Sequence, residues 1–366
     1  MTIEEKISHI ETLKGTNRKP ALLRQLMNRH IPETLTGTFV QIAGTNGKGS
    51  TAAWLRLLAD SDRTATFTSP HLKSHFERMA INGQPIPPED WERIYDKWTH
   101  LFEDNHFTMF EIDLWVALVW FHEQKATLSI FEAGLGGTMD ATTALDYAVQ
   151  AITNIGLDHM AYLGNSLEDI AAAKAGIMRV GTPVLTTEQA MFPVLKRHAE
   201  KAGTSIIQID PVPVPFSLPA YQAPNLALAK AILQQIHIRE KNIDLDSFFW
   251  PARYQTVQKE PLQIVDGAHN LPGITALVRS MPPVDHIYFS VLADKQAGPM
   301  IEMLQTTNLP ITLVHFDTPR LADLENIARQ YNLPIVDMET CAKDTASCLY
   351  CGSLYFAASL LKEKGL

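Results

Sequence analysis

The chain has 366 residues, of which 46% are apolar and 19% charged, and its formal net charge is -9 at pH 7. This length exceeds what a single hydrophobic core usually organises, so two domains are expected. The acidic balance argues against nucleic-acid binding, because a phosphate backbone is held by clustered lysines and arginines. The negative net charge does not exclude a local basic pocket for a nucleotide.

The first 13 residues, "MTIEEKISHIETL", place Ile3, Ile7, Ile10 and Leu13 at helical spacing with acidic residues between them. This pattern predicts an amphipathic helix rather than a signal peptide. The most apolar run, residues 114–121, is far shorter than the ~20 residues that a membrane span needs, so it predicts a buried helix.

The three cysteines are an odd number in a chain without an export signal, which favours a reducing cytoplasm. Cys348 and Cys351 have the spacing of a metal knuckle or redox pair. Neither a second such pair nor a pair of histidines accompanies this spacing, so both cysteines are predicted to be buried residues of a strand.

Short β-branched runs alternate with longer helical patterns, which predicts parallel strands joined by crossover helices. The first series of predicted strands is 39–43, 128–132, 149–155, 183–186 and 205–209, and the second is 263–266, 286–292, 311–316, 335–338 and 348–351. Between them, "KNIDLDSFFWPARYQ" breaks the helical period at Pro251. The predicted domains are therefore residues 1–250 and 251–366.

The stretch "FVQIAGTNGKGSTAAWL", residues 39–55, runs from a strand through a glycine-rich loop into a helix. Glycines let backbone N–H groups converge on an anion at a helix N-terminus, Lys48 adds charge, and the Ser50 hydroxyl can reach Mg²⁺. The spacing differs from the strict P-loop because Gly49 lies between Lys48 and Ser50. A nucleotide phosphate site is favoured over a glycine-rich turn without a ligand.

Other candidate residues lie where later strands end. Glu132 closes the strand "LSIFE" and would supply a hard oxygen ligand to a magnesium nucleotide, although an exposed turn residue is the alternative. His159 follows the next strand, at the edge where open α/β sheets collect ligands. Lys174 lies among alanines on a helix that Ser166 and Asp169 would cap, and on this pattern alone it is predicted to be an ordinary surface lysine.

Taken in order, these segments resemble the folylpolyglutamate synthases and dihydrofolate synthases, a branch of the Mur-type ATP-dependent amide ligases. The matching segments are "GTNGKGS", "TSPHL", "ERMAINGQPI", "FE" at residues 110–111, "FEAGLGGTMDAT", "ITNIGLDHMAYLGNSLEDIAAAKAGI", "YQAPNLALA", "WPARYQ", "VDGAHN", "LADK" and "CGSLYFA". The glycine-rich loop alone indicates a Mur-like ligase, whereas "TSPHL", "DGAHN" and "GSLY" together indicate the folate branch.

The resemblance implies an α/β fold. It comprises an N-terminal P-loop-containing, Mur-ligase-like ATPase domain with a mostly parallel sheet, and a smaller Rossmann-like α/β C-terminal domain. It further implies a cytoplasmic ligase that joins dihydropteroate or a reduced folate to L-glutamate through an acyl phosphate. We expect a monomer that acts on small molecules, without nucleic-acid or membrane partners.

The resemblance also implies cofactors and site residues. ATP would be bound by Thr45, Asn46, Gly47, Lys48, Gly49, Ser50, Arg253, Asp266 and Asn270, and Mg²⁺ by Ser69, Glu132 and His159. Lys174 matches a lysine that is carbamylated in these ligases, which changes its interpretation from surface residue to active-site residue. Asp140, His269 and Ser353 match positions of the catalytic centre or of glutamate binding.

Some segments depart from the family pattern. Thr138 and Met139 replace a common Arg-Leu pair, Ala173 replaces the acid before Lys174, and Ala252 stands where glycine is usual. The chain also lacks a few tens of residues after Thr186. Peripheral loops usually set specificity, so a divergent ligase for another carboxylic acid is the first alternative. The second alternative is a nucleotide-binding switch without ligase chemistry, which would leave Arg253, Asp266 and His269 without a role.

Overall fold

The computed structural model describes residues 1–13 and 20–366, which form two compact units. The first unit comprises Met1–Val212 and Pro224–Ile243, and the second comprises Pro213–Ala223 and Asp244–Leu366. The domain boundary between residues 250 and 251 stays a prediction. Within the described residues, no helix combines the length and apolar character needed to cross a membrane.

An eight-stranded sheet organises the first unit. Its strands are β1 Thr38–Ala43, β2 Thr64–Phe67, β3 Met79–Ile81, β4 Gln84–Pro85, β5 Leu128–Glu132, β6 Val149–Ile152, β7 Val184–Thr186 and β8 Ile206–Gln208. They lie in the order β4-β3-β2-β5-β1-β6-β7-β8. The last six strands in this order, β2-β5-β1-β6-β7-β8, pair in parallel. Strand β3 pairs antiparallel with both β2 and β4. The prediction of a mostly parallel sheet is confirmed.

The helices of the first unit lie before, between and after these strands in the chain. They are α1 Ile3–Thr12, α2 Pro20–His30, α3 Lys48–Leu58, α4 Pro88–Asp104, α5 Met109–Glu123, α6 Met160–Leu163, α7 Leu167–Ala175, α8 Phe192–Ala202 and α9 Gln222–Gln235, the last of which begins with two residues of the second unit. The run 114–121 lies in α5 and is buried throughout. The N–H and side chain of Thr108 exchange hydrogen bonds with Glu111, which caps this apolar helix.

The second unit is built on a six-stranded sheet. Its strands are β9 Gln255–Gln258, β10 Gln263–Val265, β11 His286–Phe289, β12 Ile311–His315, β13 Ile335–Asp337 and β14 Cys348–Cys351, in the order β13-β12-β11-β14-β10-β9. Only β9 among these strands pairs antiparallel. The helices are α10 Leu271–Arg279, α11 Ala297–Gln305, α12 Leu324–Tyr331, α13 Met338–Ala342 and α14 Leu354–Glu363. The cysteines of β14 are buried free thiols, as predicted.

The sequence prediction missed β2, β3, β4 and β9 and extended several strands too far. The strand predicted to reach Ile155 ends at Ile152, because the next residues leave the sheet to bond the glycine-rich loop. Between β3 and β4, Asn82 and Gly83 have φ angles of 51° and 83°. An Asn-Gly pair with positive φ is typical of a two-residue hairpin, so that signal was present in the sequence.

Candidate functional site

The glycine-rich loop, residues 44–47, joins β1 to α3 at the carboxyl edge of the first sheet. Gly44 and Gly47 have φ angles of 144° and 83°, which side-chain-bearing residues rarely adopt. A Cβ atom on Gly44 would lie 1.8 Å from Oγ1 of Thr153. The loop therefore packs directly against the segment that follows β6, and glycine is required at this contact.

Two polar residues after β6 hold the loop in place. The backbone N–H groups of Thr45 and Asn46 donate to the carbonyl and side-chain oxygens of Asn154, each at 2.9 Å. The Thr153 hydroxyl donates to the carbonyl of Asn46 at 2.6 Å. Sequence reasoning missed both residues, although polar side chains directly after a buried strand are a signal for the carboxyl edge of a sheet.

Glu132 lies beside this loop, as its predicted strand implied. In the sheet register it is the partner of Ile42 on β1. The residue is 4% exposed, and its Oε1 lies 3.7 Å from Nζ of Lys48. Oε2 accepts a hydrogen bond from the backbone N–H of Ser69 at 3.1 Å. The structure thus brings Lys48, Ser69 and Glu132 together, and the exposed-turn alternative for Glu132 is wrong.

Lys174 is buried, so its interpretation as an ordinary surface lysine is also wrong. The capping box formed by Ser166 and Asp169 starts α7 as predicted, and this helix directs Lys174 to the same loop. Its Nζ donates to the carbonyl oxygen of Gly44 at 2.8 Å. Burial, with the positive charge of Lys48 nearby, lowers the pKa of Lys174 to about 7, although Asp158 and Asp140 oppose the shift. A large fraction of this amine is therefore neutral at physiological pH.

Asp140 has a clear local role in the structure. It is fully buried and begins the short 3₁₀ helix Ala141–Ala144. One carboxylate oxygen accepts from the Leu135 N–H at 2.9 Å and the other from the Thr142 N–H at 3.0 Å. These bonds fix the "GLGGTMDAT" turn, and the predicted place of Asp140 in the catalytic centre stays a prediction.

His159 lies at the start of α6, with a left-handed φ of 51°. Its ring is about half exposed, and Nε2 lies 3.9 Å from Oδ2 of Asp158. Its backbone N–H donates to Oδ1 of the same carboxylate at 2.8 Å. Asp158 therefore orients the backbone at His159, whose predicted metal contact stays a prediction.

Asp266 organises the loop after β10 in the second unit. Its carboxylate is 3% exposed and accepts three hydrogen bonds, from the Tyr221 hydroxyl at 2.6 Å and from the N–H groups of Tyr254 and Ala268 at 2.8 Å. Burial and the adjacent carboxylate raise the pKa of Tyr221 well above its usual value, so this hydroxyl keeps its proton.

The remaining predicted residues of this unit lie on the same sheet edge. Asn270 caps α10 by accepting the Gly273 N–H at 2.9 Å, and Ser353 caps α14 by accepting the Tyr355 N–H at 3.1 Å. The two loops are joined by a hydrogen bond from the Gly352 N–H to the Ala268 carbonyl at 2.9 Å. His269 Nδ1 lies 2.8 Å from the Gly267 carbonyl oxygen.

Arg253 lies in the segment before β9. Its Nη1 donates to the carbonyl of Ala252 at 3.0 Å and would lie 2.8 Å from a Cβ atom on Gly267. Ala252 itself is fully buried with a φ of 52°, a backbone conformation that favours glycine. The structure therefore packs Arg253 against the loop that carries Asp266 and His269.

Comparison with known proteins places this chain, with its glycine-rich loop and buried lysine, among the Mur-type ligases. Residues 42–211 match the model of the Mur ligase middle domain. The dihydrofolate synthase/folylpolyglutamate synthase of Bacillus subtilis is 32% identical over 94% of this chain and 95% of its own length. The chain belongs to the dihydrofolate synthase/folylpolyglutamate synthase family.

Solved structures agree with this membership. The chain matches the bifunctional folylpolyglutamate synthase/dihydrofolate synthase of Yersinia pestis, complexed with AMPPNP and a Mn ion, with a TM-score of 0.90 and 26% identity over 100% of this chain and 98% of that one. A bifunctional enzyme of the same name with Mn, AMPPNP and L-glutamate bound matches with a TM-score of 0.87 and 25% identity, over 100% and 98% of the two chains. The predicted fold class is thereby confirmed.

Proposed function

We propose that this protein is an ATP-dependent ligase that forms an amide between the carboxylate of a pteroate or folate and the amine of L-glutamate, through an acyl phosphate. A carboxylate does not accept an amine in water until one of its oxygens becomes a leaving group. ATP supplies that leaving group by phosphorylating the carboxylate, and the glutamate amine then displaces phosphate. The observation that carries the proposal is the convergence of Lys48, Lys174 and Glu132 on the glycine-rich loop.

The loop would hold the ATP phosphates. Thr45, Asn46, Gly47, Lys48, Gly49 and Ser50 are the residues proposed for this role. The loop precedes the N-terminus of α3, where backbone N–H groups and the helix dipole favour an anion. Lys48 donates to the carbonyls of Gly44 and Thr45 at 3.2 and 3.3 Å. We propose that Lys48 exchanges these weak bonds for phosphate oxygens and offsets charge on the transferring phosphoryl group.

The residues at Glu132 fit a magnesium ion. A buried carboxylate at a strand end accepts the backbone N–H of Ser69, and this carboxylate and the Ser69 hydroxyl are the kind of hard oxygen ligand that Mg²⁺ prefers. His159 would add a nitrogen ligand, which suits Mn²⁺ at least as well. When bound, the ion would neutralise charge on the phosphates, while Glu132 and Ser69 would fix its position.

Lys174 is proposed to carry a carbamate. Carbamate formation requires a neutral amine that attacks CO₂, and the lowered pKa of Lys174 makes this form abundant near neutral pH. The nearby positive charge of Lys48 would stabilise the resulting anion. The modified side chain would help to organise the metal and the substrate carboxylate. Asp140 would contribute to the same region through the turn that it fixes.

The second unit is proposed to contribute Arg253, Asp266 and Asn270 to ATP, and His269 and Ser353 to glutamate or the catalytic centre. The support is that these five residues lie on, or pack against, connected loops of one sheet edge. Arg253 would offset phosphate charge, because a guanidinium matches phosphate geometry.

An assay of ADP release tests the function. Purified protein is incubated with Mg²⁺ and ATP and either dihydropteroate or tetrahydrofolate, each with and without L-glutamate. We expect glutamate-dependent ADP release with at least one acid, and the product mass shows whether the first or a later glutamate is added. If neither acid supports release but another carboxylic acid does, the substrate assignment is wrong while the ligase assignment stands.

A further inference from the structure

A cluster of three potential metal ligands lies in the first unit, apart from the residues proposed to bind ATP. Glu11 is on α1, whereas His71 and His75 follow β2. One potential ligand atom from each residue lies within 4.8 Å of the other two. We call these three residues the histidine cluster.

His75 is the central residue of this cluster and is 5% exposed. Its Nε2 lies 2.7 Å from Oδ1 of Asp113, so Nε2 carries the proton that this carboxylate accepts. The remaining lone pair is on Nδ1, which is buried and has no hydrogen-bond partner among the described residues. Nδ1 lies 3.8 Å from Oε1 of Glu11. An imidazole lone pair that faces a carboxylate is unfavourable unless a proton or a metal cation lies between them.

The other carboxylate oxygen of Asp113, Oδ2, is also buried and has no hydrogen-bond partner among the described residues. It lies 3.8 Å from Nη1 of Arg78. Arg78 instead donates through Nε to Nδ1 of His71 at 3.0 Å. If a metal took the lone pair on Nδ1 of His71, Arg78 would be released to donate to Asp113. Binding of one metal ion would then give a partner to both buried atoms, Nδ1 of His75 and Oδ2 of Asp113.

We propose that Glu11, His71 and His75 bind a divalent transition metal of the zinc class. Two imidazoles and one carboxylate are typical Zn²⁺ ligands, and the pairing of Asp113 with His75 is the outer carboxylate–histidine contact that such sites use. Zn²⁺ bonds of the usual length place neighbouring ligand atoms ~3.4 Å apart, so each separation in the cluster must shorten by at most ~1.4 Å. The Glu11 side chain is about half exposed and can make this movement. Water would complete the coordination.

This metal would join α1 to the segment after β2. That segment begins next to Ser69, whose N–H bonds Glu132. A bound ion would therefore fix the conformation of a segment that leads into the proposed ATP site, without taking part in phosphoryl transfer. The donor sets of the two sites differ, since the histidine cluster offers two imidazoles and one carboxylate, whereas the proposed magnesium site offers two oxygen ligands and one imidazole.

Cobalt substitution tests the site in the full-length protein. Chelator-treated protein is titrated with Co²⁺ in excess Mg²⁺, and visible absorption distinguishes tetrahedral Co²⁺ with nitrogen ligands from weakly absorbing octahedral Co²⁺. We expect one tetrahedral Co²⁺ per chain, displaced by Zn²⁺. His75→Gln and Glu11→Gln should abolish the signal, and Asp113→Asn should weaken binding by about 10- to 100-fold.

Two control variants make the result specific. His9→Gln removes an exposed histidine of the same helix, and Glu132→Gln removes the proposed magnesium ligand; both should keep the tetrahedral signal. Circular dichroism in the presence of chelator checks that each variant is folded. If His75→Gln does not fold, the result for Glu11→Gln decides whether the cluster binds the metal. Absence of tetrahedral Co²⁺ in the wild type, its persistence in Glu11→Gln, or its loss in Glu132→Gln would overturn the proposal.

Discussion

Lys48 and Lys174 donate hydrogen bonds to the same acceptor, the carbonyl oxygen of Gly44, at 3.2 and 2.8 Å. Two cations on one carbonyl repel each other, and this repulsion adds to burial in lowering the pKa of Lys174. Conversion of Lys174 to a carbamate would replace the repulsion with attraction. The glycine-rich loop thereby links the proposed phosphate-binding lysine to the proposed carbamylated lysine.

Substitution of Lys174 by alanine should reduce glutamate-dependent ADP release by about 100-fold or more, because an organising charge in an active site contributes on that scale. A small carboxylate such as acetate or formate should restore part of the activity by replacing the missing carbamate. The measurement is the steady-state rate with and without the added acid. Lys201→Ala, on α8, serves as the control and should keep wild-type activity. Full activity of Lys174→Ala would contradict the assignment.

The carbamate should depend on pH in a direction fixed by the lowered pKa. Below about pH 7 the Lys174 amine is protonated and cannot attack CO₂, whereas above it the neutral amine predominates. The carbamate should therefore be present at pH 8 and decline as the pH falls through 7. Carbon-13 NMR with labelled bicarbonate measures it directly, with Lys174→Ala as the blank. An equally strong lysine carbamate signal at pH 6 and pH 8 would show that the pKa does not control the modification.

Gly44→Ala should destabilise the first unit and abolish nucleotide binding. The new Cβ would lie 1.8 Å from Thr153 Oγ1 at a φ of 144°, so the loop must leave its position. Gly181→Ala is a matched control because its φ is 74° but no atom lies within 4 Å of the added Cβ. We expect the control to lose about 1–2 kcal/mol of unfolding free energy, from backbone strain alone, and Gly44→Ala to lose more. Urea unfolding measures both, and equal losses would show that the contact with Thr153 is unimportant.

Glu132→Gln should weaken metal binding while the protein stays folded. The amide keeps an oxygen that can accept the Ser69 N–H but removes the charge that attracts Mg²⁺. The Mg²⁺ concentration needed for half-maximal ADP release should rise by about 10-fold or more. Glu168→Gln, an exposed acid on α7, should leave it unchanged. An unchanged Mg²⁺ requirement in Glu132→Gln would place the metal elsewhere.

The alternation of β-branched runs and helical patterns predicted ten of the fourteen strands, because buried parallel strands are continuous apolar runs that sequence displays directly. The strand β2 has only two apolar residues, Ala65 and Phe67, and its burial depends on β5, which lies far along the chain. β9 alternates exposed and half-exposed residues at the edge of its sheet. Neither feature gives a local hydrophobic signal of its own.

The residues of the proposed site could likewise be predicted only in part from local sequence patterns. Glycine spacing located the loop, but the contact between Gly44 and Thr153 and the bonds to Asn154 join residues more than 100 positions apart. The burial of Lys174 is likewise a tertiary property, which explains why its own helix pattern indicated a surface residue. Resemblance to a family supplied what local physics could not, namely the proposed role of that lysine.

Transfer of oxygen from the substrate carboxylate to phosphate tests the central claim most directly. The pteroate or folate substrate is labelled with ¹⁸O in the reacting carboxylate and turned over with ATP and L-glutamate. An acyl phosphate predicts one ¹⁸O in each inorganic phosphate, because the carboxylate oxygen that attacks the γ-phosphorus leaves with it when the amine displaces phosphate. Amide product accompanied by unlabelled phosphate would contradict the account.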